Sequence, residues 1–444
     1  MADDAAELAA FTSTLELTSV PDEVVTQARL TVADSVGAIV GGADAHTIGA
    51  FIGELAAQAP GGTRVCGTTV SMSPHLAALA MGTAGSALEL DEGHRFAAGH
   101  PAMHVLPAVL AAGQQTAATG QQLLVAFIAG YEVAARVGMA VRPLDPVYHV
   151  HGVWGTVGAA AGVATLRGLS AAVTADALRI AAGSAQHTSF DAALEGATVR
   201  DTYMGMSAMA GMLAVDAAVA GIGGLSDGIA RSLTRTTESY APAMVTDALG
   251  ERWEVARGYF KTHAACRYTH GALDAVMQLR AQEAIDPDAV ETVLVETYPT
   301  AARLDAPAPA NSLQAKFSLP FAVATALVHG ATDKTAFATS AITDETLALA
   351  DRVSVREDAS FAAMVPDQRP TRVRITLQDG STHDARIDHP RGGAERPFTA
   401  ADLARKFAQL TAAVPSADVD ALWDALTSGP MPSVDTVVDA VSPR

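Results

Sequence analysis

Lysine is nearly missing from this 444-residue chain. Of its 29 basic residues only Lys261, Lys316, Lys334 and Lys406 are lysines, and none precedes Lys261. Positive charge as a whole is scarce: 29 Lys and Arg face 48 Asp and Glu, a formal net charge of −19. A chain this acidic lacks the basic face that neutralises phosphates, which argues against DNA or RNA as a partner. It argues equally against a polybasic membrane patch. Cysteine is scarcer still. Cys66 and Cys266 stand 200 residues apart, which excludes a disulfide framework and a Cys-x-x-Cys metal site. Long apolar runs are few. The best, Gly205 to Leu225, carries one charge, Asp216, and is built mainly from Ala, Gly and Met. It is expected to be a helix buried inside a helical domain rather than a membrane span. The first residues, Met1-Ala2-Asp3-Asp4, are acidic where a secretory signal would carry positive charge. These absences predict a soluble, cytoplasmic protein with neither nucleic-acid nor membrane partners.

What is there can bury a large core: 49% of residues are hydrophobic and 17% charged. The first 260 residues read as helices. Pro21-Asp22-Glu23 makes a first turn with acids at the positive end of the dipole. Val25, Ala28, Val32, Val36 and Ile39 then form one apolar face, which Gly41-Gly42 is expected to stop. Ser73-Pro74 opens another helix, and further helices fit residues 101–118, 121–139, 154–167, 174–187 and 204–221. After about residue 260 the period changes. Thr292–Thr297 and the stretch around Val353 and Val355 read as strands. Residues 372–377 and 382–387 alternate around Asp379-Gly380, a hairpin signature. Asp286-Pro287 and Thr332-Asp333 look like helix starts, and Thr399 like a cap before Leu403, Phe407 and Leu410. The fold expected is mostly α with an α+β lid. A large helical domain comes from residues 1–262 and 396–444, and the smaller α+β domain from residues 263–395.

Four polar clusters interrupt the apolar sequence. The first runs from Glu89 through Asp91, Glu92, His94 and Arg95 to His100 and His104, at the end of one apolar helix and the start of the next. Acids and imidazoles at a helix junction are candidates for acid/base work. His100 and His104 have the spacing of a metal pair, but no third ligand accompanies them, so no metal is expected. The second is Tyr148-His149-Val150-His151-Gly152. The third, Arg200-Asp201-Thr202-Tyr203, opens an apolar helix where a carboxylate could sit. The fourth spans Lys261 to His270 and contains Cys266 and Arg267. A thiolate–imidazole pair is conceivable there, although a buried thiol is the commoner use.

These clusters, in this order, resemble the MmgE/PrpD family, which includes 2-methylcitrate dehydratase, cis-aconitate decarboxylase and iminodisuccinate epimerase. The blocks LTVADSVGAIVGG, ELDEGH, GHPAMHVLPA, GYEVAARVG, HGVWGTVGAAAG, YFKTHAACRYTHGALDA and KFSLPFAVATAL carry the resemblance over almost the whole chain. It implies a homodimer with its active site between a helical domain and a lid, and no metal or organic cofactor. It places the catalytic groups at His100, His149, His270 and Glu89 or Asp91. Arg200, Lys261, Arg267, His94, His151 and Tyr203 are then candidate substrate contacts. Arg200 falls where dehydratase- and decarboxylase-like members often have Lys, and Phe321 where the decarboxylase has Tyr.

The shared chemistry is proton removal from carbon beside a carboxylate, with the developing charge stabilised by fixed donors. Arg200 cannot be the base, because guanidinium stays protonated. The expected activity is a cofactor-independent lyase of a small di- or tricarboxylate, 2-methylcitrate dehydratase-like. The alternatives are an epimerase of an imino- or aminodicarboxylate, a cis-aconitate decarboxylase-like enzyme, and an inactive carboxylate-binding member.

Overall fold

The computed structural model describes residues 3–234, 237, 240–283, 285–414 and 418–443. Ten helices fill the first half in order: α1 Asp4–Thr14, α2 Asp22–Ala43, α3 His46–Gln58, α4 Pro74–Ala87, α5 Pro101–Thr116, α6 Gly120–Ala140, α7 Gly155–Leu166, α8 Ala171–Gly183, the short α9 Asp191–Leu194 and α10 Thr202–Val219. Their starts follow local chemistry. Asp3 caps α1, Thr119 and Gln122 form a capping box at α6, Ser170 caps α8, and proline opens α4 and α5. Two expectations needed correction here. The pair Gly41-Gly42 does not stop α2, which runs on to Ala43. A β-carbon on Gly42 would lie 1.8 Å from the Ala84 carbonyl oxygen of α4, so the glycine serves close helix approach. The helix expected over 174–187 begins at Ala171 and ends at Gly183.

Four two-residue strands occur in this half and just after it. β1 (Thr63–Arg64) pairs with β2 (Ser71–Met72), and β3 (Gly93–His94) with β4 (Gly258–Tyr259). The main sheet has four strands: β5 Val290–Thr297, β6 Val353–Glu357, β7 Thr371–Leu377 and β8 Thr382–Ile387, in the order β6-β5-β7-β8. Only β5 and β6 run parallel. The expected hairpin is β7–β8, with Val373 opposite Ala385 and Ile375 opposite His383. The two expected helix starts beside this sheet are turns instead. Asp286 caps a single 3₁₀ turn, Pro287–Ala289. The Asp333 carboxylate accepts from the Thr335 and Ala336 amides, and no helix follows.

The apolar interior divides into two clusters. The first joins α1–α8 and α10 to Phe407, Val434, Val437 and Val438 of the returning C-terminal segment. The second packs the helices His270–Gln282 and Leu319–His329 on the sheet through Leu273, Val276, Val293, Val295, Val373 and Ile375. Leu88 and Leu90, at the end of α4, belong to the second cluster. The acidic block therefore starts on the seam between the cores.

By length and composition α6 and the stretch Thr198–Val219 could each cross a membrane. Packing separates them: 89% of the apolar window of α6 is buried inside the protein, but 56% of the second. The expectation that Gly205 to Leu225 is a buried helix is thus half right. α10 buries one face, while Met206, Leu213, Val219, Ile222 and Leu225 are exposed.

Candidate active site

The backbone brings the clusters together in a few steps. After α4 the chain turns at Glu89, whose φ of 55° lies in the left-handed region. It then enters β3, which pairs with β4 so that Gly93 faces Tyr259. That short ladder carries Lys261, two residues past β4, to the acidic block. His100 is the residue before Pro101 at the start of α5.

A buried ion cluster results. Arg200 bonds Glu89, and Lys261 Nζ lies 3.3 Å from Glu89 Oε2 and 3.1 Å from Asp91 Oδ1. Asp91 Oδ2 is 2.8 Å from His100 Nδ1. Burial alone would raise both carboxyls. For Glu89 the charges of Arg200 and Lys261 outweigh it, and for Asp91 the contact with His100 Nδ1 and the charge of Lys261, so both are held below the usual carboxylate range. Burial would likewise discharge Lys261, but Asp91 and Glu89 hold its proton more tightly than usual. Asp201 Oδ1 also lies 3.5 Å from Arg200 Nη1, so two cations meet three carboxyls. Arg200 lines the cavity with its charge matched, and Lys261 stands behind the carboxylates rather than on the wall. Neither is the open carboxylate clamp that the sequence led us to expect.

Hydrogen bonding assigns the imidazole tautomers. His100 Nδ1 faces two acceptors, Asp91 Oδ2 and the Glu92 carbonyl oxygen, so it carries the proton. Nε2 of His100 is left with a lone pair, as befits a base. His149 is the reverse. Its Nδ1 accepts from the His151 amide at 3.1 Å, and Nε2 has no partner among the described residues. Burial first, then Arg200 and the neighbouring imidazoles, push His149 well below its ordinary value. The ring is neutral, and its proton sits on Nε2. Both rings contact His151, at 4.9 Å from His100 and 4.0 Å from His149.

The cavity these groups line measures about 30 Å³, room for little more than a water or two. Its walls come from both cores: Glu89, His100, His149, His151 and Arg200 on one side, and Phe190, Cys266, Arg267, Tyr268, Phe317 and Arg369 on the other, with Tyr259 between. As it stands the cavity is too small for a di- or tricarboxylate.

Several expected contacts lie elsewhere. His94 is fully buried against Glu254 at 3.2 Å, and its Nδ1 accepts from the Ala97 amide. His270 is off the wall, its Nδ1 3.3 Å from Arg267 and its Nε2 3.1 Å from the Ala265 carbonyl oxygen. It positions Arg267. Tyr203 packs its ring 6.0 Å from that of His149 without lining the cavity. Phe321 is buried in the second core, so the hydroxyl missing there is not missing from this wall. Cys266 does line the cavity, with burial pushing its thiol up to about 12, far from a thiolate.

From sequence, Arg369 and Tyr259 are unmarked, and Tyr268 enters only as a member of the fourth cluster. Arg369 stacks 5.7 Å from the Tyr259 ring and 5.4 Å from that of Tyr268, while Arg267 stacks 4.3 Å from Tyr259. Arg267 donates to the carbonyl oxygens of Arg391 and Pro390 at 2.7 and 2.9 Å. Burial lowers it to about 10, still protonated at neutral pH. Among the described residues, no carboxylate forms an ion pair with either guanidinium. These are the two buried cations available to an anionic ligand. No sequence pattern marks Arg369; a lone Arg-Pro pair before a strand is all that is visible.

The order of the motifs is matched by comparison with known proteins. Residues 6–234 match the MmgE/PrpD N-terminal domain and residues 263–426 the MmgE/PrpD C-terminal domain. The chain belongs to the MmgE/PrpD family. Among curated MmgE/PrpD relatives, cis-aconitate decarboxylase of Aspergillus terreus is 28% identical over 294 residues, 62% of this chain and 60% of that protein. Cis-aconitate decarboxylase of Mus musculus is 26% identical over 364 residues, 76% of this chain and 71% of the relative. The match thus spans less than two thirds of the fungal relative's length. Both MmgE/PrpD segments contribute to the cavity. The first supplies Glu89, His100, His149 and Arg200, and the second Cys266, Arg267 and Arg369, while Tyr259 and Lys261 lie in the stretch between them.

Proposed function

We propose that the chain is a lyase that removes a proton from carbon beside a carboxylate of a small di- or tricarboxylate, and that elimination of water is its first candidate reaction. The observation that carries this reading is the pair of buried, unneutralised guanidiniums, Arg267 and Arg369, sharing one cavity with the Asp91–His100 pair. His100 Nε2 takes the proton, and the electron pair moves into the carboxylate that Arg267 and Arg369 hold. His149 donates Nε2–H to the departing hydroxyl as a neutral electrophile, with Arg200 nearby to stabilise negative charge on the ring. Loss of CO₂, the reaction named for the fungal and mouse relatives, would use the same clamp, with the electron pair of the breaking C–C bond taking up the proton of His149 Nε2–H. Epimerisation is the second reading. It is favoured by two imidazoles of opposite tautomer on one cavity, one able to take a proton while the other gives one.

The enzyme works as a homodimer, with a second copy seated on the exposed face of α10. Eight large hydrophobic residues are exposed among the described residues, and six lie between Val199 and Leu225. Patches of that kind mark interaction sites. A bilayer is the poorer occupant, because the chain's charge of −19 opposes anionic lipid.

Incubation with a panel of di- and tricarboxylates in D₂O, followed by NMR, tests the chemistry. Water loss supports the dehydratase, CO₂ release the decarboxylase, and deuterium incorporation with inversion alone the epimerase. His100→Ala is expected to abolish exchange at the carbon beside the carboxylate. His149→Ala is expected to keep exchange while slowing elimination. Wild-type exchange in folded His100→Ala would overturn the assignment of the base.

A further inference from the structure

A second cavity, of about 230 Å³, lies against the outer side of the Tyr259–Arg267–Arg369 wall. It shares those three residues with the catalytic cavity and adds Arg95, Arg257 and Glu395, among others. Four arginines and one carboxylate face this space, in a chain with 48 acids and 29 basic residues. Such a concentration of one sign runs against the composition of the whole molecule.

The guanidiniums are held in a common way. Arg95 and Arg257 stack on the Phe96 ring at 4.8 and 3.8 Å, and Arg267 and Arg369 on Tyr259 at 4.3 and 5.7 Å. Stacking occupies the planar face and leaves the N–H edges for acceptors. Arg95 is matched by Glu395 at 2.8 Å, and Arg257 by Glu254 at 2.7 Å, while Arg267 and Arg369 are unmatched. The pocket therefore holds two net positive charges, with donors on more than one wall. At about 230 Å³ it is several times roomier than the catalytic cavity of about 30 Å³, which does not admit a small polycarboxylate as it stands.

We propose that this outer pocket is a binding site for a small polycarboxylate, held there by Arg95, Arg257, Arg267 and Arg369 before it passes the shared wall. Net charge alone would repel such an anion from the protein. A local arginine pocket next to the catalytic wall concentrates it where it is needed. Arg267 and Arg369 then hand the ligand inward, since both already reach the inner cavity.

The test reads binding, so it is independent of turnover. Tricarballylate, which has neither hydroxyl nor double bond to react, is titrated calorimetrically into the full-length protein at an ionic strength of about 0.15 M, where screening acts over about 8 Å. Arg95→Gln removes one cation and leaves Glu395 only His389, 3.7 Å away, so affinity should fall about tenfold. Glu395→Gln removes the one lining carboxylate, so affinity should rise several-fold. Opposite effects from two touching residues cannot come from misfolding, and neither residue lines the catalytic cavity. The proposal is overturned if the wild type binds no tricarballylate at millimolar concentration, or if either variant changes affinity in the other direction or not at all. Inorganic phosphate binding as tightly as tricarballylate would also overturn it, because the pocket would then be a general anion site. A protein that binds as expected yet turns over no carboxylate sinks the lyase reading and leaves the pocket.

Discussion

In the proposed mechanism Asp91 works through His100. Its carboxylate, with the Glu92 carbonyl oxygen, keeps the imidazole proton on Nδ1, and Lys261 keeps the carboxylate charged. Asp91→Asn preserves size but can offer its NH₂ to the ring, which favours the wrong tautomer. Turnover is expected to fall by roughly a hundredfold or more, with an unchanged circular dichroism spectrum; wild-type turnover would remove Asp91 from the mechanism. His104 makes a different prediction. It is sealed between His151 and Trp154, and burial first, then the neighbouring His100 ring, lower it to about 3. A depressed histidine keeps its full stability contribution above its free value of about 6.5 and loses it as pH falls toward the folded value. Between pH 7.5 and 5 that loss is about 2 kcal/mol. In His104→Gln, the drop in urea-unfolding free energy over this range should be smaller by about that amount. An unchanged drop would show that the ring is hydrated and protonates freely. At this scale the sequence was readable where chemistry is local. Glu89, Asp91 and His100 stand out because acids and histidines interrupt an apolar run. Arg369 could not be read, because its partners Tyr259 and Tyr268 lie roughly a hundred residues away in the chain.

Helices of this protein approach one another through small residues, and the same substitution should act with opposite sign in two of them. A β-carbon on Gly205 of α10 would lie 2.1 Å from the Leu79 carbonyl oxygen of α4. Backbone cannot yield as a side-chain tip can, so Gly205→Ala should destabilise by about 1–3 kcal/mol. Gly53 in α3 has nothing within 4 Å of its would-be β-carbon. Gly53→Ala should stabilise by about 0.5–1 kcal/mol through helix propensity alone. Urea midpoints of the two variants check the pair, and equal shifts would refute the packing argument. Elements were legible where periodicity and turn chemistry agree, as in the β7–β8 hairpin around Asp379-Gly380. The stretch after Thr332 misled for a physical reason. Asp333 accepts the same two amides that a helix cap would accept. The next residues turn inward instead, and Phe337 is buried in the second core.

The whole molecule joins two cores across a seam, and each carries part of the wall of the candidate site. The first core is long and Ala-rich, and one face of its helix α10 has no cover within the chain. Met206 and Leu213 stand seven residues apart on the helix, so they share a stripe, and Val199 is exposed in the turn just before it. Val219, Ile222 and Leu225 extend it past the end of the helix. An 18-residue helix is about 27 Å long, enough for a stripe of this kind to seat its own copy about a twofold axis. Exposing it to water in a monomer would cost solubility, despite the charge of −19. Met206→Glu combined with Leu213→Glu places four like charges across the twofold contact, so the variant should sediment as a monomer of 45.4 kDa at concentrations where the wild type sediments at twice that mass. Helical content should be preserved, because neither side chain is buried in the first core. A wild type that is monomeric at tens of micromolar would refute the second copy. If it then floated with neutral lipid vesicles in a sucrose gradient, the stripe would belong to a membrane surface instead.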